Sequence, residues 1–471
     1  MWYNNSEYVL IKNNKGGYPM LEKIFKLREN NTSVKTEVIG GVTTFMTMAY
    51  ILAINPSMLA DAGMDKTAVL MATALSAFIG TMVMALLANY PFALAPGMGL
   101  NAYFAYTVCG TMGYSWQVAL AAVFLEGIIF ILLSLTNVRE AIFNAIPFTL
   151  KKGVSAGIGL YIAFIGLQGA YLIVDNPTTL VSYVDFVDEF HTKGICAILA
   201  LIGLFVTAIL YVKNVKGAIL IGIISTWVLG MIAQAAGIYT VDVENGFYSL
   251  YPVMEMTDFS SIKLTFGQVF KADFSGVSIF NFIAVLFAFL FVDMFDTLGT
   301  LIGVATKADM LDKNGKLPKV KEALVADAVA TSAGAILGTS TTTTFVESSA
   351  GVAAGARTGL ASVVTGVLFL LSIFLSPVFC AIPGFATAPA LVFVGFLMIS
   401  AIVDIDFNDL TEPIPAYLCL LCMPLMNSIS EGIAIGVISY VAINVACGKT
   451  KKVTPLMYIL AVLFVCKYIF L

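Results

Sequence analysis

The sequence has few charged residues and a single histidine. Only 11% of its 471 residues are Asp, Glu, Lys or Arg, whereas 59% are hydrophobic and the mean hydropathy is +0.93. This balance excludes a water-soluble globular domain and is typical of a protein that crosses a membrane many times. Because the one histidine, His191, lies in an acidic loop, a histidine-based metal site or catalytic triad is excluded as well.

Cysteine is present but not in a pattern that carries chemistry. Most of the seven cysteines, such as Cys109 and Cys196, lie in apolar stretches and are read as small buried side chains. Cys419 and Cys422 form a CxxC inside an apolar span, which favours packing over redox or metal chemistry. The sequence also has no HExxH motif. We therefore expect no enzyme activity, no cofactor, no bound metal and no nucleic-acid partner.

The N-terminal residues have no apolar run that could serve as a signal peptide. Asn4, Asn5, Asn13 and Asn14 interrupt residues 1–22. We predict a disordered segment that belongs to an N-terminal cytoplasmic region, residues 1–35. Met20 is hypothesised to be the natural start.

The rest of the chain is divided into apolar stretches of membrane-spanning length. A polar connection, 238–277, separates a first group of seven from a second group of seven, and 454–471 is left over. We predict two repeats, 36–237 and 278–447, an extracellular connection between them, and a C-terminal hydrophobic segment, 448–471. The predicted spans are near 36–59, 67–88, 92–109, 116–136, 152–173, 194–212, 217–237, 278–303, 321–338, 343–358, 359–382, 386–404, 412–427 and 430–447.

Basic residues predict the orientation of these spans. They cluster before the first span and after the fourth, sixth, eighth and last ones, which fall on one side of the membrane, the cytoplasmic side, if the N-terminus is cytoplasmic. The acidic loop 178–192 then lies outside. Seven is odd, so the two halves have opposite orientations and form an inverted repeat. The basic residues are Lys23, Lys26, Arg28, Lys35, Arg139, Lys151, Lys152, Lys213, Lys216, Lys307, Lys313, Lys316, Lys319, Lys321, Lys449, Lys451 and Lys452.

The third span of each half contains residues that interrupt a helix. NYPFALAPGMGLNAYF, from Asn89 to Phe104, carries two prolines and two glycines, and Gly338–Gly359 begins with a run of hydroxyl residues and ends beyond Arg357. Non-helical backbone at membrane depth must be buried in protein or line a cavity. Paired interruptions at matching positions predict a binding site near the middle of the membrane. The alternative is that the prolines and glycines only kink a packed helix.

Acidic residues lie within the predicted spans. An acid in a membrane helix costs about 2.5–3.5 kcal/mol on insertion scales, so such residues are candidates for function. Asp293 and Asp296 lie one helical turn apart, and Asp293 is the more plausible structural residue of the two. Glu126 and Asp327 are read as structural hydrogen-bonding residues. Arg357 either neutralises one acid or binds the carbonyl groups at the end of its own short helix.

Four motifs resemble the nucleobase–ascorbate (uracil/xanthine) permease superfamily, and within it the AzgA-like branch of adenine, guanine and hypoxanthine permeases. The resemblance covers residues 25 to about 470 and is carried by NPSML (Asn55–Leu59), APGMGLNAYFAYTV (Ala95–Val108), FVDMFDTLGT (Phe291–Thr300) and TSTTTTFVESSAGVAAGARTG (Thr339–Gly359). It implies an all-α membrane protein with fourteen segments arranged as seven plus seven. A core domain would contain segments one to four and eight to eleven, and a gate domain the other six. Segments three and ten would each begin with a short strand.

The resemblance also implies which residues bind the substrate. Asp296 and Glu347 match the two carboxylates that hold the base in related permeases, and Phe345 matches the aromatic residue that stacks on it. Where uracil-type permeases have a histidine, this chain has Thr300, which fits the AzgA-like branch. The complete predicted substrate site is Glu347, Asp296, Phe345, Asn101, Thr300, Gly97, Met98, Val346 and Ser348, with Asp296 and Glu347 coupling transport to protons.

The residue types agree with a purine ligand. A carboxylate can accept hydrogen bonds from two donors on a purine edge, and stacking on an aromatic ring is worth about 1–3 kcal/mol per base in single-strand binding proteins. We therefore predict a proton-coupled purine importer in the cell membrane, with a purine base, a proton and the lipid bilayer as partners. Its oligomeric state is left open, a homodimer included.

Three other functions are compatible with parts of the sequence. A carrier of the same fold could transport uracil or xanthine, or an anion such as sulfate or bicarbonate, although Glu347 would repel an anion held at the helix N-termini. A passive channel would also span the membrane, but the paired interruptions and buried acids suit alternating access better. A membrane-embedded enzyme has neither an HExxH motif nor a Cys/His pair in its favour.

Overall fold

The computed structural model describes residues 19–134, 146–252, 256–307, 310 and 317–470. The disorder predicted for residues 1–22 is wrong for residues 19–22, which belong to a short helix, Pro19–Phe25; residues 1–18 lie outside the described part. Arg139, Lys313 and Lys316, used above to predict orientation, also lie outside it.

The first half of the chain forms seven membrane segments, of which the third is interrupted. After a short helix, α1 (Pro19–Phe25), segment one consists of two helices, and segments two and three each end in π-helical turns. The elements are α2 (Val34–Met48), α3 (Ile51–Asp61), α4 (Lys66–Val83), β1 (Leu94–Pro96), α5 (Met98–Ala102) with turns Tyr103–Thr111, α6 (Trp116–Ser134), α7 (Phe148–Gly169), α8 (Ile195–Val212) and α9 (Ala218–Ala235).

The second half repeats this arrangement and adds one helix at its end. Segment ten is interrupted in the same way as segment three. The elements are α10 (Ile279–Lys307), α11 (Val320–Leu337), β4 (Thr342–Thr344), α12 (Ser348–Ala353), α13 (Gly359–Ser372) followed by α14 (Ser376–Cys380), α15 (Gly384–Ile399), α16 (Pro413–Leu425), α17 (Ile429–Ala446) and α18 (Pro455–Phe470).

Ten helices in the described part of the chain are long and apolar enough to cross a membrane. The two interrupted segments, α11 and the shorter α16 complete the fourteen. The predicted seven-plus-seven fold is confirmed. The separation of 412–427 from 430–447 agrees with α16 and α17, which are distinct helices.

Two local features differ from the sequence prediction. The first span is not one helix, because the chain bends at Ala49 and Tyr50 between α2 and α3. The loop after segment five also contains an antiparallel hairpin, β2 (Ile173–Asn176) and β3 (Leu180–Tyr183), where the sequence showed only acidic residues. Hydropathy reports neither feature, since it measures how apolar a stretch is and not the path of its backbone.

The helices pack as two groups. In the core group, α11 packs against α4 and α6, and α13 packs against α2 and α4. In the gate group, α7 packs against α15 and α16, and α8 packs against α9 and α15. Small residues permit close contact: a Cβ on Gly395 of α15 would lie 2.4 Å from the carbonyl oxygen of Gly159 on α7. Such small residues are what helices in membranes use to approach each other.

The additional C-terminal helix is fixed by packing and by ion pairs before it. Helix α18 packs against α17, and Phe464 contacts Phe287 of α10 with ring centroids 6.0 Å apart. In the loop before α16, Asp409 pairs with Lys449 at 2.6 Å and with Lys452 at 2.8 Å. Hydrogen bonds from these two lysines hold the pKa of Asp409 below its usual value. The described part of the C-terminal segment, 448–470, therefore packs beside the second half.

Candidate substrate site

The two interrupted segments meet as a pair of antiparallel strands. Leu94 of β1 lies opposite Thr344 of β4, and Pro96 lies opposite Thr342. The ladder continues at both ends, because the Gly97 N–H donates to the Thr341 carbonyl at 3.0 Å and the Phe345 N–H donates to the Ala93 carbonyl at 3.0 Å. Polar backbone groups in the middle of the membrane are thus satisfied by the other repeat.

The hydroxyl side chains of β4 bind the helices around it. The Thr342 hydroxyl contacts the Ser76 hydroxyl of α4 at 2.6 Å, and the Thr331 hydroxyl of α11 donates to the Thr342 carbonyl at 3.0 Å. The Thr341 hydroxyl, just before the strand, donates to Glu126 of α6 at 2.6 Å. The threonine run therefore joins segment ten to α4, α6 and α11 through buried hydrogen bonds. Glu126 takes part in this structural hydrogen bonding, as predicted.

Glu347 lies at the start of α12, but its side chain does not bind the free N–H groups of that helix. Instead the Tyr50 hydroxyl donates to Glu347 Oε1 at 2.6 Å. Tyr50 is fully buried, at the bend between α2 and α3. Glu347 itself is half-buried. The bend in segment one thus positions a hydroxyl donor on the acid of segment ten, a contact that the sequence did not indicate.

Asp296 of α10 lies beside the end of β1. A Cβ on Gly97 would lie 3.3 Å from Asp296 Oδ2 and 2.6 Å from Thr343 Cγ2, so only glycine leaves room at this position. Asp296 is half-buried and interacts electrostatically with Asp327 and Glu347. The structure therefore places Asp296 beside Gly97 and within electrostatic range of Asp327 and Glu347.

The Asn101 side chain is hydrogen-bonded within the protein and does not face a ligand. It is fully buried, the Ser340 hydroxyl donates to its Oδ1, and its Nδ2 donates to the Pro96 carbonyl at 3.4 Å. Both ends of the amide are thus used within the protein, where they connect α5 to the residues before β4. Met98, the first residue of α5, is also almost completely buried.

The remaining predicted residues surround Glu347 or follow Asp296. Phe345 is buried and Val346 is 48% exposed, so that of these neighbours Val346 presents the larger surface. The Ser348 hydroxyl accepts the Ala93 N–H at 3.0 Å and joins α12 to the chain before β1. Thr300 is half-buried, one helical turn after Asp296.

Asp293 and Asp327 form a second acidic contact behind the strand pair. Both side chains are fully buried. The Thr297 hydroxyl lies 3.0 Å from Asp293 Oδ1, 2.8 Å from Asp327 Oδ1 and 2.7 Å from the Thr343 hydroxyl. Because neither aspartate is as accessible as Asp296, this arrangement agrees with the structural role predicted for Asp293 and Asp327.

The end of the segment-ten helix is held by Arg357 and by an acid that sequence reasoning overlooked. Arg357 Nη1 donates to the carbonyls of Val352 and Ala356 at 2.8 and 2.7 Å, which matches the second of the two roles considered for it. Fully buried Glu37 accepts the backbone N–H groups of Arg357, Thr358 and Ala361. These donors lie at the start of α13, so Glu37 caps that helix from α2.

A model of a family described as "Permease family" matches residues 35–464. The chain belongs to this family of permeases. It is therefore a membrane transport protein and not an enzyme.

Curated relatives match over almost their whole length. The guanine/hypoxanthine permease PbuG of Bacillus subtilis is 45% identical over 462 residues, covering 96% of this chain and 100% of the relative. The adenine permease AdeP of Escherichia coli strain K12 is 43% identical over 456 residues, covering 97% of each chain. These proteins belong to the branch that the sequence motifs resemble.

Solved structures of distant transporters share the fold. The transmembrane domain of the cyanobacterial bicarbonate transporter BicA superposes with a TM-score of 0.62 at 14% identity, over 85% of this chain and 97% of that chain. The murine anion transporter Slc26a9 gives a TM-score of 0.57 at 11% identity, over 93% of this chain and 73% of that chain. At such identities the likeness concerns the architecture of two sets of seven segments and nothing about the ligand.

Proposed function

We propose that this permease imports purine nucleobases (hypoxanthine, guanine or adenine) and that a proton moves with them. The observation that carries the proposal is the position of Asp296 beside Gly97, at the end of β1, within electrostatic range of Glu347 at the start of α12. The names of the relatives support the same substrate class. Transport proceeds by alternating access, in which the core group carries the site past the gate group.

The acidic character of the site selects the ligand. A half-buried pair of carboxylates repels an anion, so bicarbonate or sulfate is disfavoured despite the shared fold. A neutral purine offers N–H donors that a carboxylate accepts, as a charge-assisted hydrogen bond worth about 1.5–3 kcal/mol. Glu347 accepts from the base, and the Tyr50 hydroxyl holds its other side.

Asp296 is the proposed proton carrier. Its half-buried carboxyl group lies within electrostatic range of Glu347, so that one negative charge opposes the other. Uptake of a proton by Asp296 therefore favours an ionised Glu347, the form that accepts purine N–H groups. Phe345 supplies a stacking surface after a small rotation from its buried position, and Val346 and Thr300 complete the wall.

The substrate and the coupling are tested together in vesicles. Purified permease in liposomes should accumulate labelled hypoxanthine, guanine or adenine when the interior is alkaline, and unlabelled purines should compete. Accumulation of uracil or xanthine without competition by hypoxanthine, guanine or adenine would support the second candidate. Bicarbonate or sulfate uptake would overturn the proposal, and single-channel currents would indicate a channel.

We further propose that the N-terminus is cytoplasmic and that the protein resides in the cell membrane. Single cysteines introduced in the 178–192 loop should react with an impermeant reagent added outside, whereas cysteines in the 305–320 loop should react only after permeabilisation. The two loops labelling from the same side would contradict the orientation. Light scattering of the purified permease would distinguish a monomer from a homodimer.

A further inference from the structure

The last part of the connection between the two halves directs apolar side chains away from the protein. It contains two short 3₁₀ helices, Phe259–Leu264 and Gln268–Lys271. The side chains of Thr265 and Val269 are buried against the protein, whereas five large apolar side chains are each between 45% and 68% exposed. These five form the apolar face of the connection: Phe259, Leu264, Phe266, Phe270 and Phe274.

This arrangement is the reverse of what a loop in water requires. Such a loop directs polar side chains to the solvent, and clustered apolar side chains on a surface mark a contact with another protein or with a membrane. The sequence conceals the apolar face because polar residues separate its members. Averaged over the whole connection, 238–277, these polar residues predict a stretch that lies outside the membrane.

The connection is held tightly against the core group. The Thr265 hydroxyl donates to the Leu337 carbonyl at 2.9 Å, and the Gly267 N–H donates to the Ile336 carbonyl at 2.7 Å. Both carbonyls belong to the last turn of α11. The first 3₁₀ helix also packs against α4, and the second packs against α6 and α11. The apolar face is therefore fixed beside helices that cross the membrane.

A contact with α6 shows how deep the connection lies. The rings of Phe270 and Phe124 meet edge to face, with centroids 5.6 Å apart. Phe124 follows Trp116, the first residue of α6, by eight positions, which corresponds to about 12 Å along a helix. Its ring leans back toward Trp116, as helical side chains do. Because α6 has 19 residues and the hydrocarbon layer is about 30 Å thick, Phe270 lies within the span of this helix and not beyond its end.

The apolar face also continues the surface of α10. Phe274 packs against Phe282 with ring centroids 5.2 Å apart. On the same helix, Ile279 and Phe280 are each 70% exposed, and Ile283 is 56% exposed. Side chains of this kind on a membrane-crossing helix face the lipid. The apolar face of the connection extends that lipid-facing surface without a polar boundary.

The charges near the apolar face cancel. Residues 257–276 contain two acids, Asp258 and Asp273, and two bases, Lys263 and Lys271. Each acid accepts a backbone N–H two residues later, from Ser260 at 2.9 Å and from Ser275 at 2.8 Å. The long stems of the lysines allow their ammonium groups to reach the head-group region while the neighbouring rings remain in hydrocarbon. Contact with lipid therefore needs no anionic head group.

We propose that residues 259–274 lie in the membrane, with their apolar face against the lipid acyl chains of the adjacent leaflet. The depth of Phe270 and the continuity with α10 favour lipid over a second protein. Because the connection is bonded to the end of α11, this lipid contact belongs to the core group. The inference does not depend on which substrate the permease carries.

Tryptophan fluorescence of the full-length permease in phosphatidylcholine liposomes tests the location. Phe266→Trp and Phe270→Trp place a reporter on the apolar face. Asn245→Trp is the matched control, because Asn245 is an exposed residue of a polar turn in the same connection. The fluorescence of the unsubstituted chain is subtracted. Lipids brominated in the upper part of their acyl chains quench a tryptophan in hydrocarbon, and iodide quenches one in water.

We expect the reporters at positions 266 and 270 to lose more fluorescence to brominated lipid, and less to iodide, than the reporter at position 245. Iodide quenching as strong as at position 245 would place the connection in water and overturn the proposal. Quenching by neither reagent would mean that protein, such as a second copy of the chain, covers the face, which also overturns it. If Phe270→Trp does not assemble, Leu264→Trp takes its place, with the same outcomes.

Discussion

The strands β1 and β4 pair with each other, yet the residues around them differ in polarity. The β1 side is apolar and compact: Leu94 and Ala95 are fully buried, and Gly97 leaves no room for a Cβ. The β4 side consists of threonines that bond to three helices and leads to Glu347. The difference indicates a division of labour in which segment three provides shape and segment ten provides hydrogen-bonding and charged groups. Substitutions beside β1 and substitutions beside β4 should therefore impair the permease in different ways.

The largest effect is expected from Asp296, the acid beside Gly97 at the end of β1. Asp296→Asn should abolish accumulation driven by a proton gradient, because the side chain can no longer bind and release a proton. Asp293→Asn should leave a folded, partly active permease, since the buried Asp293 contacts Thr297 and an amide can replace that contact. Vesicle uptake with and without a pH gradient measures both. The opposite pattern would reverse the roles of the two aspartates.

Glu347→Gln tests the hydrogen-bonding role assigned to segment ten. The change preserves size but replaces an acceptor oxygen with a donor, so a purine N–H loses its partner. Losing a charge-assisted hydrogen bond of about 1.5–3 kcal/mol predicts at least a tenfold weaker affinity. Binding titrations of the purified variant with hypoxanthine, guanine and adenine provide the measurement. Equal affinity for all three would mean that Glu347 does not recognise the base.

Tyr50→Phe asks how much of the Glu347 effect depends on its positioning. The variant removes the donor that lies 2.6 Å from Glu347 Oε1 and keeps the ring in place. We expect a several-fold loss of purine affinity in the parent. In the Glu347→Gln background the same change should have a smaller effect, because contacting residues are not additive. Additive losses in this double-mutant cycle would show that Tyr50 acts independently of Glu347.

Gly97→Ala tests the close packing that segment three provides. The added Cβ would lie 2.6 Å from Thr343 Cγ2 and would push the strand pair apart, at a cost of about 1–3 kcal/mol for overpacking. We expect lower thermal stability together with weaker binding of every purine. Gly169→Ala is the matched control, since a Cβ there has no neighbour within 4 Å. Equal stability of the two variants would contradict the close packing at Gly97.

The smallest effect is expected at Asn101. Asn101→Ala should raise the apparent KM or alter the preference among purines, as the sequence suggested. Its hydrogen bonds to Ser340 and Pro96 indicate that this effect is transmitted through the position of α5. Competition assays with the three purines measure it. Unchanged competition by all of them would assign Asn101 to packing alone.

Much of the fold could be predicted because apolar stretches and helix-interrupting residues can be recognised within short segments of the sequence. A bilayer requires long apolar stretches, and backbone that leaves a helix inside it must find a partner. Those two constraints, together with the positions of the basic residues, predicted fourteen segments and the matching interruptions in segments three and ten. The choice of Asp296 and Glu347 as the substrate acids came from the resemblance to the permease superfamily. Arg357 was also placed by a local argument, since its partners lie one and five residues before it.

The partners of these acids were decided only by the tertiary structure. Tyr50 is 297 residues from Glu347 in the chain, and Glu37 is 320 residues from Arg357; nothing in either local sequence refers to the other. The sequence likewise presents Asp293 and Asp327 as two separate buried acids, and only the packing of α10 on α11 brings both to one hydroxyl. A side chain's polarity is a property of the residue, whereas its protonation and its hydrogen bonds depend on what the fold places within about 3 Å of it.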